Sequence, residues 1–416
     1  MSSARFKNDE LNEKRERIMA RLFHSVVTGL LMAPGLAIVA HAASAPQTVW
    51  STMLKVPVYN TPQTRDGQVY LTSTQSNGPN VFAIDGSTGK PLWSFPTQGS
   101  IAIPPTVGPT QVFVASDVGN THFMRAIDAK TGALIWKYTR DQPPECMCSY
   151  QSTLTGGLLF AQTDGHSLYA FQPSGSAPSK RLWSFDGDGA LLTKPVAADG
   201  VVVVGSSDRN VYGLDAKTGK TLWTATTGYA FTADPVVSNG VVVIGDQGGN
   251  IDGFDVKSGK QLWNFGASGA IDDAAVTQGK TAYVVSEDHN VYALNVANGQ
   301  TVWQYAMDDY AEHPPVLVGQ LVVVDNRAGQ LVGLDAAKGS LAWQTDLDGT
   351  PFSAPVPWQD GKAVVLKIGD HDIGAFDSSS GKPIWQYGTK AVVTLPIVTG
   401  DRVNVATSAG EVMALD

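Results

Sequence analysis

The chain has 416 residues, of which 43% are hydrophobic, and its 38 acidic and 29 basic residues give a formal net charge of −9. This composition is that of an ordinary globular protein with ample material for a core. The acidic balance argues against binding to nucleic acid or anionic lipid through bulk charge.

Residues 1–42 differ from the rest and are predicted to be a secretory signal peptide. A charged segment precedes an apolar run from Leu22 to Ala40, and Ala40-His41-Ala42 has the small-x-small pattern that signal peptidase cleaves. Cleavage is therefore predicted after Ala42, and Met19 would also begin an ordinary signal, which makes it the alternative start. The competing interpretation is an uncleaved membrane anchor, because the apolar run is near the ~20 residues needed to span a bilayer.

The predicted mature chain begins at residue 43 and is more acidic than the whole, with 23 basic and 34 acidic residues. No other apolar run is long enough to cross a membrane, and no cysteine follows the signal that could be lipidated. We therefore expect an exported, periplasmic protein that is not a lipoprotein.

A hairpin motif recurs through residues 43–416. In residues 211–223, VYGLDAKTGKTLW, a short strand leads into an Asp-Ala-Lys-Thr-Gly turn, and the next strand carries Trp223. The copies end at tryptophans that are 40 to 47 residues apart: Trp93, Trp136, Trp183, Trp223, Trp263, Trp303, Trp343 and Trp385. Such a period indicates a repeat architecture.

Each period is predicted to form four short antiparallel strands, the pattern of one β-propeller blade. Asp215 is expected to accept hydrogen bonds from backbone N–H groups two residues further on, and Gly219 to take the positive φ that closes the turn. Trp223 offers a large apolar surface with one N–H donor and is expected to wedge between adjacent blades. The fold class is therefore all-β, a single propeller.

The two ends of the chain are predicted to complete one blade together. The last copy stops at VMALD, residues 412–416, before its fourth strand, whereas residues 48–54, TVWSTML, resemble a fourth strand without the other three. Pairing them closes the ring and covers both open edges. Counting VMALD, nine third strands are present, which favours nine blades.

The A-x-D-x-x-T-G-x-x-x-W pattern resembles the PQQ-like repeat, and the resemblance covers essentially the whole mature chain. Propellers of this family usually have eight blades, so the alternative to nine is one misread repeat. The family includes quinoprotein dehydrogenases, which hold pyrroloquinoline quinone (PQQ) and Ca²⁺ in the centre of the ring, and BamB-type factors, which are exported, enzymatically inert and assist outer-membrane protein assembly. The chain resembles the BamB type more closely, because its segments between blades are too short to build a quinone site.

The only two cysteines, Cys146 and Cys148, are separated by Met147. Quinoprotein dehydrogenases typically carry adjacent cysteines that form a disulfide over the quinone, and the intervening residue departs from that pattern. Three interpretations are open, namely a structural or idle disulfide, a redox or thiolate metal site, and a quinone lid. A disulfide with so tight a loop would be strained.

A row of polar residues near the first strands is the best candidate for chemistry. Aligned on the turn glycines, Lys194, Asp234, Asp273 and His313 take equivalent positions in four consecutive blades, next to Asp272 and Glu312. Carboxylates in such a row suit Ca²⁺, or acid–base work with His313, and these four are the cofactor-binding candidates. The other interpretation is a rim of alternating charges that keeps the mouth of the channel wet.

The longest excursion between strands, residues 138–151, is the candidate protein-binding lip, with Arg140 and Met147 available to a partner. The function predicted from the resemblance is a non-enzymatic scaffold in the cell envelope whose partners include the outer-membrane barrel-assembly machinery. No catalytic residue, metal ligand or cofactor is assigned under this interpretation. The alternative is a small PQQ- and Ca²⁺-dependent dehydrogenase or a ligand-sensing propeller.

Overall fold

A computed structural model describes residues 45–101, 103–118, 121–140, 151–162, 165–173 and 181–416. These residues form thirty-six strands in nine four-stranded antiparallel sheets, each of which is one blade of a propeller. The predicted all-β fold and the count of nine blades are confirmed. The described residues include no helix, and so none that could cross a membrane. The predicted signal peptide lies outside the described residues.

The strands of the first four blades, from the channel outwards, have the following bounds. Blade 1 comprises β2 (Gln63–Arg65), β3 (Gln68–Thr72), β4 (Val81–Asp85) and β5 (Pro91–Phe95). Blade 2 comprises β6 (Thr106–Val107), β7 (Gln111–Val118), β8 (Thr121–Asp128) and β9 (Leu134–Arg140). Blade 3 comprises β10 (Gln151–Thr155), β11 (Leu158–Gln162), β12 (Ser167–Phe171) and β13 (Arg181–Asp186). Blade 4 comprises β14 (Val196–Ala198), β15 (Val201–Gly205), β16 (Asn210–Asp215) and β17 (Thr221–Thr226).

The remaining blades follow the same order. Blade 5 comprises β18 (Val236–Ser238), β19 (Val241–Gly245), β20 (Asn250–Asp255) and β21 (Gln261–Gly266). Blade 6 comprises β22 (Val276–Gln278), β23 (Thr281–Ser286), β24 (Asn290–Asn295) and β25 (Thr301–Ala306). Blade 7 comprises β26 (Val316–Val318), β27 (Leu321–Asn326), β28 (Gln330–Asp335) and β29 (Leu341–Asp346). Blade 8 comprises β30 (Val356–Trp358), β31 (Ala363–Ile368), β32 (Asp372–Asp377) and β33 (Pro383–Gly388). Blade 9 comprises β34 (Ile397–Thr399), β35 (Arg402–Ala406), β36 (Glu411–Leu415) and, as its outer strand, β1 (Thr48–Met53).

The ring closes where β1 pairs with β36. The two strands are antiparallel, with Thr48 opposite Leu415 and Met53 opposite Glu411. Ser51 adds a side-chain bond, its hydroxyl donating to Glu411 Oε1 at 2.6 Å. The predicted closure is confirmed, and both ends of the chain are thereby held in one sheet.

The core of the propeller is divided among the interfaces between neighbouring blades. One cluster, for example, joins Val243 and Ile251 of blade 5 to Val284 and Leu294 of blade 6. Because adjacent side chains of a strand point to opposite faces, an apolar run such as Val201–Gly205 buries one face against each neighbouring blade. Such a continuous apolar run is expected for a strand that is covered on both sides.

The tryptophans of the outer strands connect consecutive blades. Trp183 donates its indole N–H to the carbonyl of Ala216 at 3.0 Å, and its ring lies against Gly219 in the turn of the next blade. Trp223 repeats this bond with Val256 at 3.0 Å. The turn itself is built as predicted, since Asp215 accepts the N–H groups of Lys217 and Thr218, and Gly219 has φ +70°. The expected wedge is therefore confirmed.

Gly219→Ala should lower the free energy of unfolding by about 2–4 kcal/mol, because alanine must adopt a left-handed φ and its Cβ would also overlap the ring of Trp183. Gly200→Ala is the matched control, with φ +82° but with nothing within 4 Å of the added Cβ. Its expected loss is about 1 kcal/mol. Urea unfolding followed by tryptophan fluorescence measures both variants, and equal losses would contradict a role for the glycine–tryptophan contact.

Candidate functional site

The four residues of the predicted row lie in the segments that enter the first strands of blades 4 to 7. Lys194 and Asp234 stand two residues before β14 and β18, whereas Asp273 and His313 stand three residues before β22 and β26. The four positions are therefore not all equivalent, which corrects the alignment on turn glycines. The misalignment arises in the hairpin turn between the first and second strands. Glycine is the second residue after β14 and β18, but it is the first residue after β22 and β26.

Counted from the strands, the true equivalents of Asp273 and His313 include Thr193 in blade 4 and Ser353 in blade 8. Both of these hydroxyls accept a backbone N–H from the second strand of their own blade, Thr193 from Gly205 and Ser353 from Lys367. The position therefore holds the entry segment against the second strand. In blades 6 and 7 the same position is occupied by the ionisable residues Asp273 and His313.

Lys194 and Asp234 form a tie between blades 4 and 5. The backbone N–H of Lys194 donates to Asp234 Oδ1 at 2.6 Å, and the Lys194 amine lies 3.4 Å from Asp234 Oδ2. A similar bond joins blades 5 and 6, where the Thr232 hydroxyl donates to Asp272 Oδ1 at 2.6 Å. Lys194 is largely exposed, so the ion pair itself contributes little to stability.

His313 forms the most buried polar contact of the row. Its Nδ1 lies 2.9 Å from Oδ2 of Asp325, whose side chain in β27 is fully buried. Burial opposes the charged imidazolium, but the hydrogen bond to Asp325 and the nearby carboxylates outweigh it and raise the pKa of His313. Desolvation also raises the pKa of Asp325, against the attraction of His313. The pair therefore holds a proton between a partly buried imidazole and a fully buried carboxylate.

Asp273 extends this pair towards blade 6. Burial, opposed by the charge of His313 and reinforced by Asp325, Asp272 and Asp234, raises the pKa of Asp273 to about 6. Asp325 Oδ1 has no hydrogen-bond partner among the described residues. Asp273, His313 and Asp325 thus form an electrostatically coupled cluster in which the pKa of each group is raised.

Two clefts adjoin these residues. A small one of about 250 Å³ lies between blades 6 and 7, and its lining includes the carboxylates of Asp272, Asp273, Glu287 and Glu312. Glu312 is also 3.8 Å from Arg327, which donates a hydrogen bond to the Tyr310 hydroxyl. A larger cleft of about 560 Å³ is lined by the inner strands of blades 1 to 3 together with Lys194. The residues of the row therefore do not line one common cleft, since Lys194 lines the larger cleft and Asp273 lines the smaller one.

The other predicted site residues are Arg140, Met147 and the two cysteines. Arg140 is the last residue of β9, where its backbone pairs with His122. Cys146, Met147 and Cys148 lie outside the described residues. Within the described ranges, no group of three or more His, Cys, Asp or Glu residues is placed to hold a metal ion.

Asp325 is the residue of this cluster that the sequence analysis missed. It interrupts the apolar run of β27 at the position of Gly205, Gly245 and Val285 in the three preceding blades. A carboxylate within an otherwise apolar second strand, twelve residues after a histidine, is the signal that would have identified it.

Comparison with known proteins places the chain among repeat propellers. The family model described as outer membrane protein assembly factor BamB matches residues 37–178, 174–313 and 287–416. The solved structure of BamB from Moraxella catarrhalis is similar with a TM-score of 0.55 and 15% identity, over 89% of this chain and 100% of that one. No curated protein is significantly similar in sequence.

Two other solved structures share the architecture. The computationally designed protein Ika8 has a TM-score of 0.59 and 15% identity, over 89% of this chain and 99% of its own. The C-terminal WD40 domain of Sif2 has a TM-score of 0.57 and 13% identity, over 74% of this chain and 93% of its own. At such identities the likeness shows the fold alone.

Asp273→Asn should raise the melting temperature at pH 7.5 and leave it unchanged below pH 4. The raised pKa means that ionising Asp273 is harder in the folded state, so wild-type stability falls as pH rises from about 4 to about 6. The asparagine variant escapes that loss, which is on the order of 3 kcal/mol. Calorimetry across this pH range measures the effect, and a variant that tracks the wild type at every pH would refute it.

His313→Gln should destabilise the protein more at pH 5.5 than at pH 8.5. Because the folded-state pKa of His313 is raised, its stabilising contribution is complete below about 6.5 and is lost as pH rises through the folded-state value. Denaturant titrations of variant and wild type at the two pH values test this, and a larger loss at pH 8.5 would show that the histidine is stabilised as the neutral form.

Proposed function

Because the chain belongs to the family of the outer membrane protein assembly factor BamB, we propose that it is an exported, non-enzymatic propeller that serves as a protein-interaction scaffold in outer-membrane protein assembly. The observation that carries this proposal is the extent of the family match, which runs from residue 37 to residue 416 and so includes all nine blades. Its site of action is the periplasm, and its partners are envelope proteins, among them the barrel-assembly machinery.

The bonding of the channel residues supports a role without PQQ or Ca²⁺. Asp234 is engaged by Lys194, Asp272 by Thr232, and Asp325 by His313. These carboxylates join strands and blades to one another, whereas a Ca²⁺ site needs several oxygens directed at one point. The arrangement fits a rim that holds the inner ends of the blades in register.

The partner is expected at the predicted protein-binding lip, residues 138–151, rather than in the channel. Blades 4 to 8 repeat with little variation in strand length, whereas β7, β8 and β9 are the longest strands of the ring, with eight, eight and seven residues. The last three residues of β9, 138–140, are also the first residues of the predicted protein-binding lip. Binding functions are often located on such excursions from a rigid scaffold.

Capture of the full chain, tagged at its C-terminus, from cross-linked envelopes should recover components of the outer-membrane barrel-assembly machinery. The double variant Arg140→Ala and Met147→Ala should reduce that recovery about tenfold, as expected when contact residues of an interface are truncated. Lys220→Ala, an exposed turn residue of blade 4, is the control and should recover the same amount as the wild type.

Two outcomes would contradict the proposal. One is an exported protein that recovers no assembly component. The other is purified protein that binds PQQ in the presence of Ca²⁺, detected by the quinone absorbance, and then reduces a dye with alcohols or sugars. The second result would favour the dehydrogenase alternative.

A further inference from the structure

The interfaces between blades share one position on the third strand, three residues before the last residue of that strand. It is occupied by Tyr212 in blade 4 and by Tyr292 in blade 6. In both blades the tyrosine hydroxyl donates to an aspartate of the preceding turn, Tyr212 to Asp208 at 2.6 Å and Tyr292 to Asp288 at 2.7 Å. A buried polar group at this position is thus satisfied by a carboxylate from its own blade.

In blade 2 the same position holds Arg125, a residue that is 3% exposed. Val118 occupies the place that Asp208 has in blade 4, because Val118 lies two residues after Ser116 and Asp208 lies two residues after Ser206. Blade 2 therefore has no carboxylate at this place. The guanidinium instead donates to the Ser116 hydroxyl and lies 4.6 Å from the centre of the Phe123 ring. No carboxylate of the described residues lies within ion-pair distance of it. Burial alone lowers the pKa of Arg125 to about 10.

A second cation lies beside the first. Lys137 is directly opposite Arg125 in the pairing of β8 with β9, and its amine is 5.0 Å from the centre of the same Phe123 ring. Like charges opposite each other on neighbouring strands are destabilising. A buried cation without a counter-charge is more costly still. Both costs disappear if an anion lies between the two groups.

The surface concerned faces blade 1. Val114, the partner of Arg125 in the pairing of β7 with β8, packs in the cluster that joins blades 1 and 2. Arg125 lies on the same face at the floor of this interface, whereas Lys137 lies on the outer strand and is exposed. An anion could therefore reach the pair from the rim of the ring, without passing through the channel.

We propose that Ser116, Phe123, Arg125 and Lys137 form an oxyanion-binding site between blades 1 and 2, suited to phosphate or to a carboxylate from an acidic segment of a partner. A planar guanidinium at the floor binds two oxygens of such a group, and the lysine at the opening supplies a second charge. The serine hydroxyl orients the guanidinium. This site does not depend on the function proposed above.

The first test is a titration of the full chain with inorganic phosphate, against sodium chloride at equal ionic strength, followed by calorimetry and by melting temperature. Phosphate should bind and stabilise the wild type. Lys137→Gln, an exposed substitution, should weaken phosphate binding about tenfold. Arg125→Met, which removes the buried charge and keeps similar volume, should abolish the phosphate effect and fold at least as stably without it.

Arg181→Gln is the matched control, because Arg181 is an exposed cation 5.3 Å from the centre of the Tyr169 ring in blade 3. It should retain wild-type phosphate binding. Loss of binding in this variant to the same degree as in Lys137→Gln would overturn the proposal, as would a phosphate effect no larger than that of chloride.

A tetraglutamate peptide distinguishes the two sources of the anion. Competition between the peptide and phosphate, lost in Lys137→Gln, assigns the site to a protein carboxylate. Phosphate binding without peptide binding assigns it to free phosphate. Binding of neither probe to the wild type would refute the site, because both carry the chemistry that it requires.

Discussion

The ring depends on one repeated contact, the outer-strand tryptophan seated on the turn glycine of the next blade. The contact has a polar and a steric part, since the indole N–H is bonded to a backbone carbonyl while the ring covers a residue without a side chain. Among the described residues, this glycine–tryptophan contact joins blade 9 to blade 1, blade 1 to blade 2, and each consecutive pair from blade 3 to blade 8. Within the described residues, the contact is absent where blade 8 meets blade 9. Trp385 faces blade 9, where no turn joins β36 to β1, and its indole N–H has no partner among the described residues.

This contact explains why the fold could be predicted from sequence. The turn acid, the glycine and the tryptophan are each required by local chemistry, so they recur, and their period gives the blade. The pairing of residues 48–54 with the C-terminal repeat was also predictable, since an incomplete blade at each end leaves two edges that must be covered. The observed strand, Thr48–Met53, differs from that prediction by one residue.

The polar row was less predictable, for a reason that is also local. Aligning blades on the turn glycine assumes that every hairpin turn places its glycine alike, yet Gly240 is the second residue of its turn and Gly279 the first of its own. A shift of one residue exchanges the face that a side chain occupies. The partner of His313 was missed because Asp325 meets it only through the folded register of β27, and no spacing rule reveals that a strand carboxylate is buried. The charges were visible in the sequence, whereas their burial, which raises the pKa of Asp273, was not.

The third-strand position shows where a repeat propeller can acquire individual properties. Blades 4 and 6 place there a tyrosine whose ring meets an aromatic ring of the preceding blade at a steep angle, Tyr212 against Phe185 and Tyr292 against Phe265. Where blade 5 meets blade 4, the pair is replaced by Asp252 of blade 5 and Ala225 of blade 4. The Asp252 carboxylate accepts hydrogen bonds from the side-chain amides of Gln261 and Asn264, and burial raises its pKa. Blade 2 uses Arg125. Because the tryptophan and glycine lie elsewhere in the interface and carry the join, this position can hold a ring, an acid or a base without opening the propeller. Chemistry specific to this protein is therefore to be sought between its blades as well as in its channel.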